Sequence, residues 1–441
     1  MPGIWQIRAR EGTGRPYDFK PYRLGQTLAP VTKVTPDDGF YLHSFYDVCP
    51  WSPSQRYLTV TRLPYQGLKP RWGDKAGVCV IDLYEQTIET VYETKAWSFQ
   101  VGANVQWGNM GDRYLYANDI IDEIPVCVRI DLETKEITAY AGPKYDLSPD
   151  ERYVISPNLL NMNIHQYGYS VPDPLGKKPM PFTPDDMEYE GLWRTDLQRN
   201  RKELLVPMNY FVRASSEQDF YRKGVGYLFH SKYNLQNTRI MQVFRCQING
   251  AGRHASLFTM DIDGSDLSEC LSREKWNQKA RLGGSGNHPN WHPDGEHIVM
   301  NCIPNWLGYE DMLFCQFRFD GTDFTILSEK HLGSGHPTVE PTSRFLVSDA
   351  YIKQQYVVKG GEVPIRFIDL KEDKEYTLCT IANDVGGGGE MYTKQDREEG
   401  GSPHKLDPHP AWSRDYKKLC INGAPEGDRQ VFIIDLKEWT G

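Results

Sequence analysis

Seven times along the chain the same short pattern returns, and that recurrence restricts the fold more than any single motif within it. Each unit holds an opening strand, a turn rich in Ser, Pro, Asp and Gly, a β-rich strand, a variable loop, and a strand that closes on Asp-Leu or Asp-Gly before another short strand. The closing strands are Val80-Ile-Asp-Leu83, Arg129-Ile-Asp-Leu132, Trp193-Arg-Thr-Asp-Leu197, Met260-Asp-Ile-Asp-Gly264, Phe319-Asp-Gly321, Phe367-Ile-Asp-Leu370 and Ile433-Ile-Asp-Leu436. Units of roughly 45 to 60 residues with four short strands apiece are the spacing of propeller blades. The expected fold is therefore all-β, a seven-bladed β-propeller of four-stranded antiparallel blades in a single domain over residues 1–441.

The blades are placed at about 46–98, 99–142, 143–227, 228–284, 285–334, 335–402 and 403–441. Unit seven ends almost at the C-terminus, so the N-terminal arm 1–45 is expected to supply an outer strand to the last blade from its stretch Tyr22 to Val34, which would cover an otherwise open edge. Ser170 to Glu190, rich in Pro and Asp, and Asn383 to Gly401, with Gly386 to Gly389 in succession, interrupt the repeat and read as long loops able to cover a site.

Repetition also resolves the length. A chain of 441 residues exceeds a typical single domain, whereas a radial array can hold it around one axis, and 39% hydrophobic residues supply the core. Net charge of −9 argues against a nucleic-acid partner. Nine cysteines, an odd number without a CxxC pair, read as buried reduced thiols. No apolar run is long enough to span a membrane, and the start Met1-Pro-Gly-Ile-Trp lacks a signal peptide's apolar core, so a cytoplasmic location without a membrane partner is expected. The oligomeric state is not fixed by these features.

Four histidines stand at one register position of successive units. Each precedes by three residues the apolar or aromatic residue of the opening strand: His230-Ser-Lys-Tyr233, His288-Pro-Asn-Trp291, His336-Pro-Thr-Val339 and His409-Pro-Ala-Trp412. In a radial repeat, equivalent positions share a ring around the axis. The first three blades carry Val48, Asn104 and Lys144 there, so the scaffold accepts other residues, and only 11 histidines exist in all. A His-Pro pair that merely opens a strand and bonds the next blade is the alternative to a metal or acid/base site.

Around the last histidine, His404-Lys-Leu-Asp407-Pro-His409 adds two more donors. A His and Asp set suits Mn²⁺ or Zn²⁺, and an oxygen-richer set Ca²⁺. Arg245 and Arg213 are candidates for gripping a carboxylate, with an ordinary ion pair as the alternative. His43, ahead of blade one beside Tyr46, is a candidate acid or base. Tyr233 is a candidate substrate contact or a core strand residue. His165 reads first as an inter-strand hydrogen-bonding residue, and His292, His297 and His331 as turn or surface residues.

The blade pattern, the Ser-Pro-Asp-Gly-like turns and the His-Pro strand openings resemble the seven-bladed oligogalacturonate lyases and the related ulvan and rhamnose-glucuronate lyase propellers, diffusely but over most of the chain. That resemblance implies a divalent metal, manganese first, held by a penultimate-blade histidine, here His336, and by a Gln/His/His cluster opening the last blade, here His404, Asp407 and His409. It implies a base at His288. His404 stands where the family has Gln and Asp407 where it has His, and the opening His43-Ser-Phe-Tyr-Asp47 looks more like the wider group of sugar-acting propellers. The implied activity is β-elimination on a uronic-acid-containing oligosaccharide, an acidic partner, with His230 as a further ligand or substrate contact. Eliminating across a uronate needs its carboxylate neutralised by a cation or Arg and its weakly acidic proton taken by a base. A glycoside hydrolase acting on a uronate- or rhamnose-containing oligosaccharide, and a non-catalytic sugar- or protein-binding propeller, are the other readings.

Overall fold

Seven antiparallel sheets stand around one axis, as the repeat predicts. The structure, a computed structural model, describes residues 7–8, 14–67, 70–166, 168–172, 184–248, 252–281, 285–351, 361–385 and 406–440. His404, Gly386 to Gly389 and most of the Ser170 to Glu190 run lie outside these residues. From the axis outward, blade five is Asn287–Trp291, His297–Cys302, Leu313–Arg318 and Thr325–Leu332, and the other blades repeat that order.

The recurrent Asp-Leu motif has a local cause. At the end of the third strand in blades one, two, three and six the aspartate accepts the backbone N–H groups two and three residues on: Asp82 from Tyr84 and Glu85, Asp131 from Glu133 and Thr134, Asp196 from Gln198 and Arg199, and Asp369 from Lys371 and Glu372. This is an Asx turn that starts the return to the outer strand. Asp82, Asp131 and Asp369 also take an arginine from the start of the second strand: Arg56, Arg113 and Arg344. One carboxylate thus fixes both a hairpin and its neighbouring strand.

Between blades, aromatic wedges on the innermost strands set the spacing. Trp107 donates from Nε1 to the Pro50 carbonyl at 3.0 Å and Trp291 to the Lys232 carbonyl at 3.1 Å, each reaching the preceding blade. A buried indole N–H usually takes such a partner. Trp51 and Trp412 occupy the equivalent positions, with Nε1 buried and no hydrogen-bond partner among the described residues.

Chain closure involves more of the N-terminal arm than the sequence indicated. Val31–Lys33 pairs with Gln430–Asp435 of the last blade, and Lys20–Pro21 continues that sheet. Further upstream, Arg15–Pro16 lies against Thr87–Thr94 of blade one and Ile7–Arg8 against Glu136–Ala139 of blade two. The innermost strand of blade one is Phe40–Leu42, within the stretch that the repeat assigned to the arm, because its pairing with Tyr57–Leu63 is not accompanied by a recognisable turn sequence. All nine cysteines are unpaired, eight of them buried. No helix among the described residues is long and apolar enough to cross a membrane.

A chain beginning at residue 37 leaves the edge of Gln430–Asp435 unpaired, and size-exclusion chromatography is expected to show aggregation in place of a monodisperse peak. Leu419→Ala, at a fully buried position of the last-blade core, is expected to cost about 2–5 kcal/mol in denaturant unfolding.

Candidate metal centre and histidine ring

The backbone at the strand openings explains why the histidines converge. Asn104, His230, His288 and His409 share left-handed φ angles of 48°, 55°, 55° and 50°, a conformation that His and Asn adopt more readily than most residues. The ladder register skips there, between Phe229 and Lys232 and between Asn287 and Asn290. A bulge of this kind re-aims a side chain out of the sheet. In blade six the left-handed residue is Gly335 (φ 65°), one position earlier, and a Cβ at Gly335 would stand 2.2 Å from Asp349 Oδ1.

His336, Asp407 and His409, from blades six and seven, offer donor atoms that all lie within 4.8 Å of one another, and all three side chains are buried. His409 Nε2 is 3.9 Å from Asp407 Oδ2. Asp349 orders this group. Its Oδ1 accepts from the His336 backbone N–H at 2.8 Å and faces His336 Nδ1 at 2.9 Å, while Oδ2 accepts from the His409 backbone N–H at 3.1 Å. Burial works to raise the Asp349 carboxyl, but the His336 ring and these donors outweigh it and hold it below the usual carboxylate range. With Nδ1 taken, His336 Nε2 is left buried with no hydrogen-bond partner among the described residues. Two imidazoles, a carboxylate and a carboxylate backing one imidazole fit a divalent cation.

The rest of the ring adjoins this cluster. The His288 and His336 ring centroids are 4.0 Å apart, those of His336 and His409 4.4 Å, and those of His230 and His288 6.2 Å. His288 Nδ1 sits 2.8 Å from the Gly335 carbonyl of the next blade, as Asn104 Nδ2 reaches the Tyr145 carbonyl at 2.9 Å. His288 thus ties its blade to the next as Asn104 does. Tyr351 Oη lies 2.9 Å from His288 Nδ1 and 3.2 Å from Nε2. Burial lowers the pKa of His230 well below the ordinary value, and Lys232, His288, Arg245 and His336 add to the shift, which keeps the ring neutral.

Phe45 and Tyr46 fill the axis against the ring, with Phe45 4.5 Å from His409 and Tyr46 5.0 Å from His336. Tyr46 donates to the Pro289 carbonyl at 3.1 Å, and Lys232, ion-paired with Asp47, donates to that carbonyl and to Tyr46. Beyond these aromatics a cavity of about 320 Å³ follows the inner strands towards Pro293 and Arg414. Its lining includes Tyr233 and none of the four histidines, so Tyr233 lies further along its strand than the ring.

The other candidates separate by burial. Arg245 is 7% exposed, donates to Gln166 Oε1 at 2.7 Å, lies 4.7 Å above the Phe229 ring and has no carboxylate partner among the described residues. Desolvation lowers its pKa from the usual guanidinium value. Arg213 instead is an exposed residue of the helix Met208–Ala214, paired with Glu188 at 3.2 Å, and no contact among the described residues links it to the ring. His43 is fully buried, and burial pushes it down to about 4 against the nearby Pro408 and His409 backbone. It packs behind the last-blade opening, which does not favour an acid role. His165 stacks on Tyr227 at 4.8 Å.

Asp349 and Tyr351 escape sequence reading because they follow the second strand of blade six, Phe345–Ser348, and belong to no recurrent motif. Gly335 before His336 was their one signal, since it marks a close approach.

The fold has solved relatives in three dimensions. An oligogalacturonate lyase in complex with manganese superposes with a TM-score of 0.65 at 14% identity, covering 96% of this chain and 98% of that one. An oligogalacturonate lyase from Vibrio parahaemolyticus gives a TM-score of 0.65 at 14% identity over 97% and 98% of the two chains. No protein-family profile matches the sequence, and no curated protein matches it. At this identity the likeness establishes a common seven-bladed propeller along nearly the whole chain.

Proposed function

We propose that the protein is a metal-assisted lyase that cleaves a uronic-acid-containing oligosaccharide by β-elimination, acting on short imported fragments in the cytoplasm. The observation that carries this reading is the buried His336, Asp407 and His409 cluster, backed by Asp349 and adjoined by His288. Its nitrogen-rich donor set and the manganese complex of one structural relative favour Mn²⁺, with Zn²⁺ and Ca²⁺ as the alternatives.

Each side chain has a task in this scheme. His336, Asp407 and His409 hold the cation, with His404 as a further donor. When bound, the cation neutralises the substrate carboxylate so that negative charge can build on it as the neighbouring proton leaves. Arg245, buried with no carboxylate partner among the described residues, gives a second positive group for that carboxylate. His288 is the base. Its Nδ1 proton is fixed on the Gly335 carbonyl, which leaves Nε2 as the basic nitrogen. His230, kept neutral by burial, is a substrate contact. A hydrolase would need two carboxyl groups facing the sugar. The ring holds Asp407 and Asp349, and Asp349 is committed to His336 and His409.

Purified protein is expected to carry a divalent cation by elemental analysis and to generate the ultraviolet absorbance of a conjugated unsaturated uronate, with chelation abolishing it. Absence of both metal and absorbance on every uronate tested would move the assignment to a hydrolase or a binding propeller. His288→Ala is expected to lower kcat by about 100- to 10,000-fold while leaving bound metal unchanged. Asp349→Asn is expected to weaken cation affinity by about 10- to 100-fold in chelator competition.

A further inference from the structure

A second line of register positions faces a different space. Asp146, Lys232, Asn290, Thr338 and Ala411 each stand two residues beyond the ring position of their blade, and all of them line the cavity of about 320 Å³ beyond Phe45 and Tyr46. At its far end the cavity reaches Leu235, Pro293 and Arg414, in the turns that follow the inner strands Val225–Tyr233, Asn287–Trp291 and Ala411–Trp412. The histidines precede Tyr233, Trp291 and Trp412 along the chain and the turns follow them, so the cavity opens on the propeller face opposite the ring, where Leu235 is 64% exposed. We propose that this chamber is a second binding site that takes one neutral monosaccharide.

The polar atoms of the wall select that chemistry. Asp47 pairs through Oδ2 with Lys232, whose ammonium also donates to the Pro289 carbonyl at 2.9 Å, while Asp47 Oδ1 is buried with no hydrogen-bond partner among the described residues. Thr338 is 4% exposed, and its Oγ1 is likewise without a partner among them. Buried polar atoms are nearly always hydrogen-bonded, so two of them on residues of one cavity wall call for donors and acceptors from inside it. Asp47 Oδ1 only accepts, Thr338 donates and accepts, and the half-buried Asn290 amide does both. Adjacent hydroxyl groups meet all three. Trp291, Trp412, Tyr145 and Tyr416 supply aromatic wall for the C–H face of a sugar ring.

Charge and size narrow the ligand further. Lys232 is matched by Asp47, and Asp146 is committed to the backbone N–H groups of Tyr233 and Leu147. At the mouth, Arg414 donates to the Trp51 carbonyl and to Asn109. An acidic sugar would bring a further negative charge to a wall whose buried cation is already paired, whereas a neutral one adds none. The volume stands at the lower end of the roughly 300–1,000 Å³ of small-molecule sites. It is about ten times the share of one liquid water, about 30 Å³, which suits a single sugar and not a chain.

Isothermal titration calorimetry of the whole protein with glucose, galactose, mannose, rhamnose and xylose tests the site, with glucuronate as competitor. At least one neutral sugar is expected to bind saturably, one per chain, and to keep its affinity after chelation and in His288→Ala. Glucuronate is expected to compete with an affinity lower by about tenfold or more. Thr338→Val is expected to weaken binding by about 3- to 10-fold without lowering the thermal unfolding temperature, since Oγ1 has no partner among the described residues to lose. Ala411→Leu, which fills the chamber from the blade-seven wall, is expected to abolish binding. No saturable binding of any of these sugars, loss of binding on chelation or in His288→Ala, or undiminished binding in Thr338→Val or Ala411→Leu overturns the proposal. Glucuronate competing as tightly as the neutral sugar overturns it as well.

Discussion

Everything at the axis depends on closure of the circle, in which Val31–Lys33 pairs with the last-blade strand Gln430–Asp435. An open array of sheets would leave the first and last inner strands free to move apart, and the ring of strand openings would lose its fixed radius. Closure converts seven similar local hairpins into one constraint. Indoles such as Trp107 and Trp291, hydrogen-bonded to the preceding blade, then transmit the spacing around the ring. Positions hundreds of residues apart in sequence can consequently be held at side-chain contact distance.

Within that frame one carboxylate joins two blades. Asp349 fixes the His336 ring through Nδ1 and caps the backbone N–H of His409, whose left-handed φ would otherwise be an uncompensated strain. Gly335 is required because a side chain there would collide with Asp349. Ligand direction and backbone conformation are thus coupled through a single buried group, so the cluster is preorganised by the protein before any cation arrives. Such an arrangement favours an ion whose preferred geometry matches the fixed donors.

Burial sorts the charges of the region. His230 is held neutral by desolvation and by the cations beside it, and Arg245 remains without an anion among the described residues. A buried guanidinium without a carboxylate is costly unless a ligand supplies one. Lys232, by contrast, is matched by Asp47 and serves to anchor Tyr46 against the ring. The aromatics Phe45 and Tyr46 separate the histidines from the cavity that contains Tyr233.

By itself the sequence determined the seven-bladed fold, because Asx turns at aspartates such as Asp82 and Asp131 and the turns after each opening strand are local structures that leave a periodic trace. It also determined the ring of His230, His288, His336 and His409, since equivalent positions of a repeat are equivalent in space. Asp349 and Tyr351 were not legible: each reaches a histidine of its own or a neighbouring blade from an irregular segment, and a contact across blades has no period to read. Arg213 and Arg245 looked alike in sequence, and only tertiary burial separated an exposed ion pair with Glu188 from a guanidinium enclosed beside the ring. Local hydrogen bonding wrote the blades into the chain, whereas desolvation and inter-blade distance, which exist only after closure, decided which side chains act together.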